Sequence, residues 1–182
     1  AACLLASLPV GVSLPPRVLA DADVRVADDH APERVIAPVG RAARTADRVR
    51  GTAPVLYSRY LDTLHASVTD GVEFEAVVGR QVAESANEID PERAERIRES
   101  DHYESYVTDA EMPYALMLTE ADGEWTLFVV VYDAGAPRGV VVNETDTAVS
   151  WGRERYRAIR DAAEPLAATE IGAERAVRQS RE

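Results

Sequence analysis

Apolar and polar positions divide the chain into a first half where helices and strands alternate and a second half dominated by strands. Residues 24–27 alternate briefly in the manner of a strand, and Pro32 stands where a helix can begin, with Asp28 and Asp29 upstream. Val35, Ile36, Val39 and Ala43 then recur at roughly helical spacing. Residues 48–57, RVRGTAPVLY, suit a strand bent at Gly51 and Pro54, followed by a helix through Leu61, Leu64, His65 and Val68. The run 72–79, VEFEAVVG, is the clearest buried strand of this half, and helix alternating with strand predicts parallel crossover units. A further helix is expected over 89–99, with Asp90 as its cap and Pro91 in its first turn.

From there the pattern shortens to period two. Residues 103–108, 113–119, 125–133 and 139–142 read as strands, with an Asp-Gly turn at 121–123 and a second turn at 134–137. Residues 146–164 form a long closing helix whose inner stripe is Val149, Tyr156 and Ile159, and Pro165 ends it. The tail after Leu166 is read as a loose helix or a disordered segment. At the other end, residues 1–8 read as the end of a helix, and Pro15 and Pro16 punctuate a connector that marks a boundary and not a core. A chain of 182 residues that is 46% apolar suits one core. The expected division is therefore a connector over 1–16, one α/β domain over 17–166 and a charged tail over 167–182.

Charge narrows the picture. The 32 acidic residues face 20 basic ones, all of them Arg, for a formal charge of −12. An acidic surface without Lys resembles proteins of halophilic cytoplasm; GC-rich codon usage, which exchanges Lys for Arg, is the other reading. At molar salt the Debye length is about 3 Å, so self-repulsion is nearly switched off, and the fold is expected to lose stability as salt is removed. Such a surface presents the wrong field to DNA, whose affinity comes from cations neutralising phosphates. Any DNA contact must be made by another part of the protein.

Cys3 is the one cysteine, which excludes an internal disulfide or a multi-Cys zinc site and fits a reducing cytoplasm. Residues 1–16 carry no charge, yet they lack an initiating Met and a basic flank and are broken by Pro and Gly. They read as neither a signal peptide nor a membrane span, and a chain opening on Ala reads as beginning in mid-protein. His30, His65 and His102 have no partner at the spacing of metal sites or hydrolases, and no nucleophile elbow, P-loop or dinucleotide fingerprint is present. No catalytic, metal-binding or cofactor residue is assigned. Six aromatic and amide positions near predicted strand ends stand out: Tyr57, Tyr60, Tyr114, Tyr132, Asn143 and Trp151. Pockets in α/β sheets open beyond strand ends and mix apolar walls with few polar groups, so these six are candidates to line one. The alternative for each is ordinary core or rim packing.

The stretch EMPYALMLTEADGEWTLFVVVYDAGAPRGVVVNETDTAVSWGRERYRAIRDAAEPL resembles the effector domain of archaeal Fil-type regulators, in their haloarchaeal branch. The resemblance is carried by Glu111, Met112, Pro113 and Tyr114, then by Thr145 and Asp146 ahead of Ala148 and Val149, by Trp151, and by Glu164, Pro165 and Leu166. LADADVRVAD at 19–28 and ADRVRGTAPV at 46–55 extend it to about residues 17–166. It implies a phospholipase-D-like mixed sheet flanked by helices in a single domain with no catalytic motif. It also implies a cytoplasmic homodimer that senses an unknown small-molecule effector, away from membranes, and meets DNA only through an N-terminal winged helix outside this chain. Enzymes of that fold use a His-x-Lys and a downstream Asp, and a chain without Lys cannot supply that pair. The other readings are a degenerate phospholipase-D-like hydrolase and a pure protein-interaction module.

Overall fold

The computed structural model describes residues 2–28 and 30–166, and in it one eight-stranded mixed sheet is covered by helices on both faces. The strands are β1 (Asp23–Val26), β2 (Arg48–Ala53), β3 (Glu73–Gly79), β4 (Tyr103–Thr108), β5 (Tyr114–Ala121), β6 (Glu124–Asp133), β7 (Ala136–Asn143) and β8 (Glu164–Pro165), lying in the order β1-β7-β6-β5-β2-β3-β4-β8. The helices are α1 (Ala2–Leu5), α2 (Pro16–Leu19), α3 (Ala37–Thr45), α4 (Ser58–Thr69), α5 (Arg80–Ile89), α6 (Pro91–Arg98) and α7 (Asp146–Asp161), with a 3-10 turn, Pro32–Ile36, leading into α3. This is the expected architecture, a single α/β domain with a mixed sheet flanked by helices.

The helix–strand alternation of the first half produces the parallel ladder β2–β3–β4, with α4 and then the α5–α6 pair as crossovers. The period-two half forms the antiparallel meander β5–β6–β7, and β5 joins it to β2. Both hairpin turns hold two residues in the left-handed region, Asp122 and Gly123 in one, Ala134 and Gly135 in the other, the conformation that matches the twist of the flanking strands.

Residues Leu127 to Val131 of β6 are buried at every position, which is possible only for a strand covered on both sides. Leu127, Val129 and Val131 pack with Leu116, Leu118 and Val149 under α7, while Phe128 and Val130 pack with Val35 and Ile36 on the other face. Helix α7 comes unusually close to the sheet at Gly152, where a β-carbon would stand 2.7 Å from Cδ1 of Leu127.

Several boundaries move for local reasons. The strand expected over 48–57 stops at Ala53, because Pro54 has no N–H for a ladder. Helix α5 was not anticipated, although Val82, Ala83, Ala86 and Ile89 recur at helical spacing along it. The helix expected over 89–99 is α6, starting at Pro91 with the Asp90 carboxylate accepting from Arg93 N at 3.0 Å. The turn at 134–137 tightens to two residues, so β7 starts at Ala136. Helix α7 ends at Asp161, and Glu164 and Pro165 pair with β4 as a short edge strand. Residues 1–16, read as a connector, send Leu4, Leu8 and Leu14 into the core beneath α7, since a run so apolar gains more from burial than from water. The tail reading for 167–182 and the Asp29 position lie outside the described residues.

Candidate functional site

Short side chains open a space between the sheet and its cover of α3, α4, α5 and α6. Gly51, Ala76 and Ala115 contribute almost no bulk from the sheet, and Ala83, Ala86 and Ala94 answer them from α5 and α6. The result is a cavity of about 190 Å³. Protein interiors rarely hold voids larger than a water molecule. Phe74, Val78, Val82 and Met117 remain only half-buried because part of their surface faces this space.

Aromatic side chains close the end near the carboxyl terminus of β2. Tyr60 on α4 and Tyr132 at the end of β6 line the cavity, their hydroxyls 3.0 Å apart. Tyr57 stacks edge-on against Tyr60, with ring centroids 5.2 Å apart, and donates its hydroxyl to Gly135 O, tying the β2–α4 loop to the β6–β7 turn. Burial raises the Tyr132 hydroxyl far above the ordinary tyrosine value, with the Tyr60 hydroxyl adding to it. Both phenols are neutral at any physiological pH.

The wall near β4 is polar in a different way. Arg98, at the end of α6, donates from Nη1 to Asn87 Oδ1 at 2.7 Å, and its Nε is buried without a hydrogen-bond partner. The Tyr103 hydroxyl is raised by burial, against which the Ser105 hydroxyl and the Arg98 charge act in the opposite direction. Leu166 completes this wall, its N–H donating to Ser105 O at 2.8 Å.

The structure therefore brings Tyr57, Tyr60 and Tyr132 together at one cavity end and places the other three sequence candidates elsewhere. Tyr114 and Trp151 meet on the α7 face, ring centroids 6.5 Å apart. Asn143 is 2% exposed and fully bonded: Nδ2 donates to Val18 O and Ala20 O at 3.0 and 2.8 Å, and Oδ1 accepts from Thr145 N and Oγ1 at 2.9 and 2.8 Å. It clips the α2 segment to the start of α7. Sequence reasoning did not find Arg98, Tyr103 and Ser105, or the alanine floor. The one available signal was the helical spacing of Val82, Ala83, Ala86 and Ile89, in which small residues alternate with larger ones.

A second, polar groove of about 200 Å³ lies at the amino ends of β2, β3 and β4. Its charges neutralise one another: Arg48 reaches Glu73 and Glu120, each at 3.1 Å, and Arg50 and Arg160 flank Glu75 at 3.9 and 3.5 Å. Tyr156 sits beside Glu75, its buried hydroxyl closing no hydrogen bond of ordinary length and raised by burial first and the carboxylate second. Among the described residues no three His, Cys, Asp or Glu side chains converge as a metal site would require. No helix among them is long and apolar enough to cross a membrane. His30 and His102 are exposed and His65 is half-buried on α4.

Solved structures share this architecture at low identity, which is a likeness of fold alone. TrmBL2, an archaeal chromatin protein with a novel mode of DNA binding, matches with a TM-score of 0.60 at 11% identity, over 79% of this chain and 53% of that one. The chain thus spans about half the length of TrmBL2. Nuc, a phospholipase D family member from Salmonella typhimurium, matches with a TM-score of 0.59 at 16% identity, over 80% of this chain and 99% of its own. Polyphosphate kinase from Porphyromonas gingivalis gives 0.57 at 15% identity, over 82% of this chain and 27% of that one. No curated protein matches the chain. The family model for the middle domain of the methanogenesis regulatory protein FilR1 matches residues 32–162, the span from the 3-10 turn through α7. On that match, which covers well over half of its length, the chain belongs to the FilR1 middle-domain family of regulatory proteins.

Proposed function

We propose that this regulatory domain senses a small molecule in the cavity between the sheet and α3–α6, within a haloarchaeal transcription regulator working as a cytoplasmic homodimer. DNA is met by a winged-helix module carried elsewhere in that protein. The observation that supports the reading is the cavity itself: about 190 Å³ of apolar space, bordered by two tyrosine hydroxyls and, on another wall, by an arginine. Ligand sites combine an apolar body with a few placed polar groups in this way. The acidic surface, −12 overall, is consistent with delegating DNA contact to another module, and its basic residues are all Arg, as expected of a haloarchaeal chain. A chain without Lys also lacks the His-x-Lys pair that hydrolysis on this fold would need, so the likeness to Nuc supports no catalytic role.

Binding alone does not regulate; the ligand must favour one arrangement of the protein over another. The first test is thermal denaturation of the whole chain in KCl against a panel of cytoplasmic metabolites. A ligand at a hundredfold its Kd is expected to raise Tm by roughly 5–10 °C in a domain of this size. Ala86→Trp, which fills the cavity from α5, is expected to raise Tm of the free protein and to abolish that response. A panel without any response, together with an Ala86→Trp protein no more stable than the parent, would remove the sensing role. Light scattering of the full-length regulator checks the dimer, and a monomer would remove that part.

A further inference from the structure

We infer that the molecule sensed in this cavity is an apolar monocarboxylate of about eight non-hydrogen atoms, its carboxylate bound by Arg98 and its body lying among the alanines and aromatic rings. This rests on the sensing role proposed above and adds the chemistry of the ligand to it.

The cavity is lined by few charges. In a chain with 32 carboxylates and 20 basic residues, none of the lining residues is Asp or Glu, and one is a cation, Arg98. Among the described residues Arg98 takes part in no ion pair. Its neighbours in sequence, Glu95 and Glu99, are exposed and do not reach it. Arg98 is half-buried, and a guanidinium partly against apolar walls with no counter-charge among the described residues is one that a bound anion would stabilise.

Geometry selects the kind of anion. Only Nη1 is bonded, to Asn87 Oδ1 at 2.7 Å, and Asn87 is itself anchored through Nδ2 to Ala83 O at 3.0 Å. Nε is buried without a hydrogen-bond partner and Nη2 forms no hydrogen bond among the described residues, so the Nε–Nη2 edge, once a small shift uncovers Nε, matches the two oxygens of a carboxylate. The Tyr103 hydroxyl, on which the Arg98 charge and the Ser105 hydroxyl both act, lies on the same wall as a further donor. One cation balances a single negative charge; a phosphate dianion would keep an uncompensated charge in an apolar space. The volume sets the size. A cavity of about 150 Å³ accommodates benzene, so about 190 Å³ suits a body of hexanoate or benzoate dimensions.

The test compares hexanoate with hexanamide, the same shape without the charge, by calorimetric titration of the whole chain and of Arg98→Gln and Arg98→Lys at fixed KCl. Hexanoate is expected to bind the parent roughly tenfold to a hundredfold more tightly than hexanamide, as a charge-assisted pair implies. In Arg98→Gln the preference should vanish while hexanamide affinity is unchanged, and in Arg98→Lys part of it should survive. Inorganic phosphate is expected not to compete. If acid and amide bind the parent equally, or the preference persists in Arg98→Gln, the carboxylate assignment is overturned and the cavity remains a sensing site for neutral molecules. The comparison on the parent protein decides this even where Arg98→Gln folds poorly. If neither compound binds and Ala86→Trp gives no added stability, the sensing role falls with it.

Discussion

Tyr60, Tyr103, Tyr132 and Tyr156 each hold a phenol above its ordinary value of 10.0, and burial is the leading cause in all four. In the unfolded chain these groups ionise near pH 10; in the folded chain they resist. Their contribution to stability is therefore complete below pH 10 and is lost as the pH climbs above it, by about 1.4 kcal/mol per pH unit for each tyrosine kept neutral. We expect a cooperative alkaline unfolding in which phenolate absorbance and loss of ellipticity rise together. Phenolate from these four appearing near pH 10 with the fold intact would contradict it. The same scale separates the two polar side chains that matter most. Asn143 uses both ends of its amide on backbone and Thr145 partners, so it is structure through and through. Arg98 has one bonded nitrogen and one buried nitrogen without a partner, and a group left in that condition inside a fold invites a functional account.

Among the elements, β1 depends on a close approach that glycine alone permits. A β-carbon at Gly139 would lie 2.5 Å from Arg25 O and 2.6 Å from Cδ1 of Leu4. Because the first of these is backbone, Gly139→Ala must push β1 away from β7, at a cost of about 1–3 kcal/mol. Lower Tm and faster hydrogen exchange at Ala27, whose N–H donates to Arg138 O at 2.8 Å, are the expected outcomes. An unchanged exchange rate there would refute it. What the sequence displayed at this scale followed the size of its apolar residues. The LFVVV run of β6 and the Asp-Gly turn before it are strong local signals, and both survive into the structure unchanged in kind. Helix α5 is the opposite case: Val82, Ala83, Ala86 and Ile89 keep a helical period, and it is the smallness of its two alanines that leaves room beneath the sheet. The cavity was illegible for that reason, since it is made by side chains that are missing bulk, spread over strands and helices distant in sequence. Tyr57, Tyr60 and Tyr132 were visible as aromatics near strand ends, but the sheet face of Tyr132 depends on register, a property of the assembled ladder, and Tyr57 and Tyr60 lie outside any strand.

At the level of the whole molecule, charge and topology govern behaviour that no one element shows. With a net charge of −12, and with ion pairs whose partners are mostly exposed and so worth little individually, repulsion between carboxylates is the dominant surface term. Screening shortens from about 10 Å at 0.1 M to about 3 Å at 1 M salt, so Tm is expected to rise steadily with KCl across that range. A flat profile would show that the charges are already balanced. Topology adds an element of time. Strand β1 waits for β7, with Val26 opposite Gly139, and Leu4, Leu8 and Leu14 wait for α7 to cover the sheet above them. During synthesis at about 5–20 residues per second, that interval of more than a hundred residues lasts on the order of ten seconds. Through that window one of the greasiest stretches of the chain stands uncovered at the ribosome, and the cell must shield it until its partners arrive.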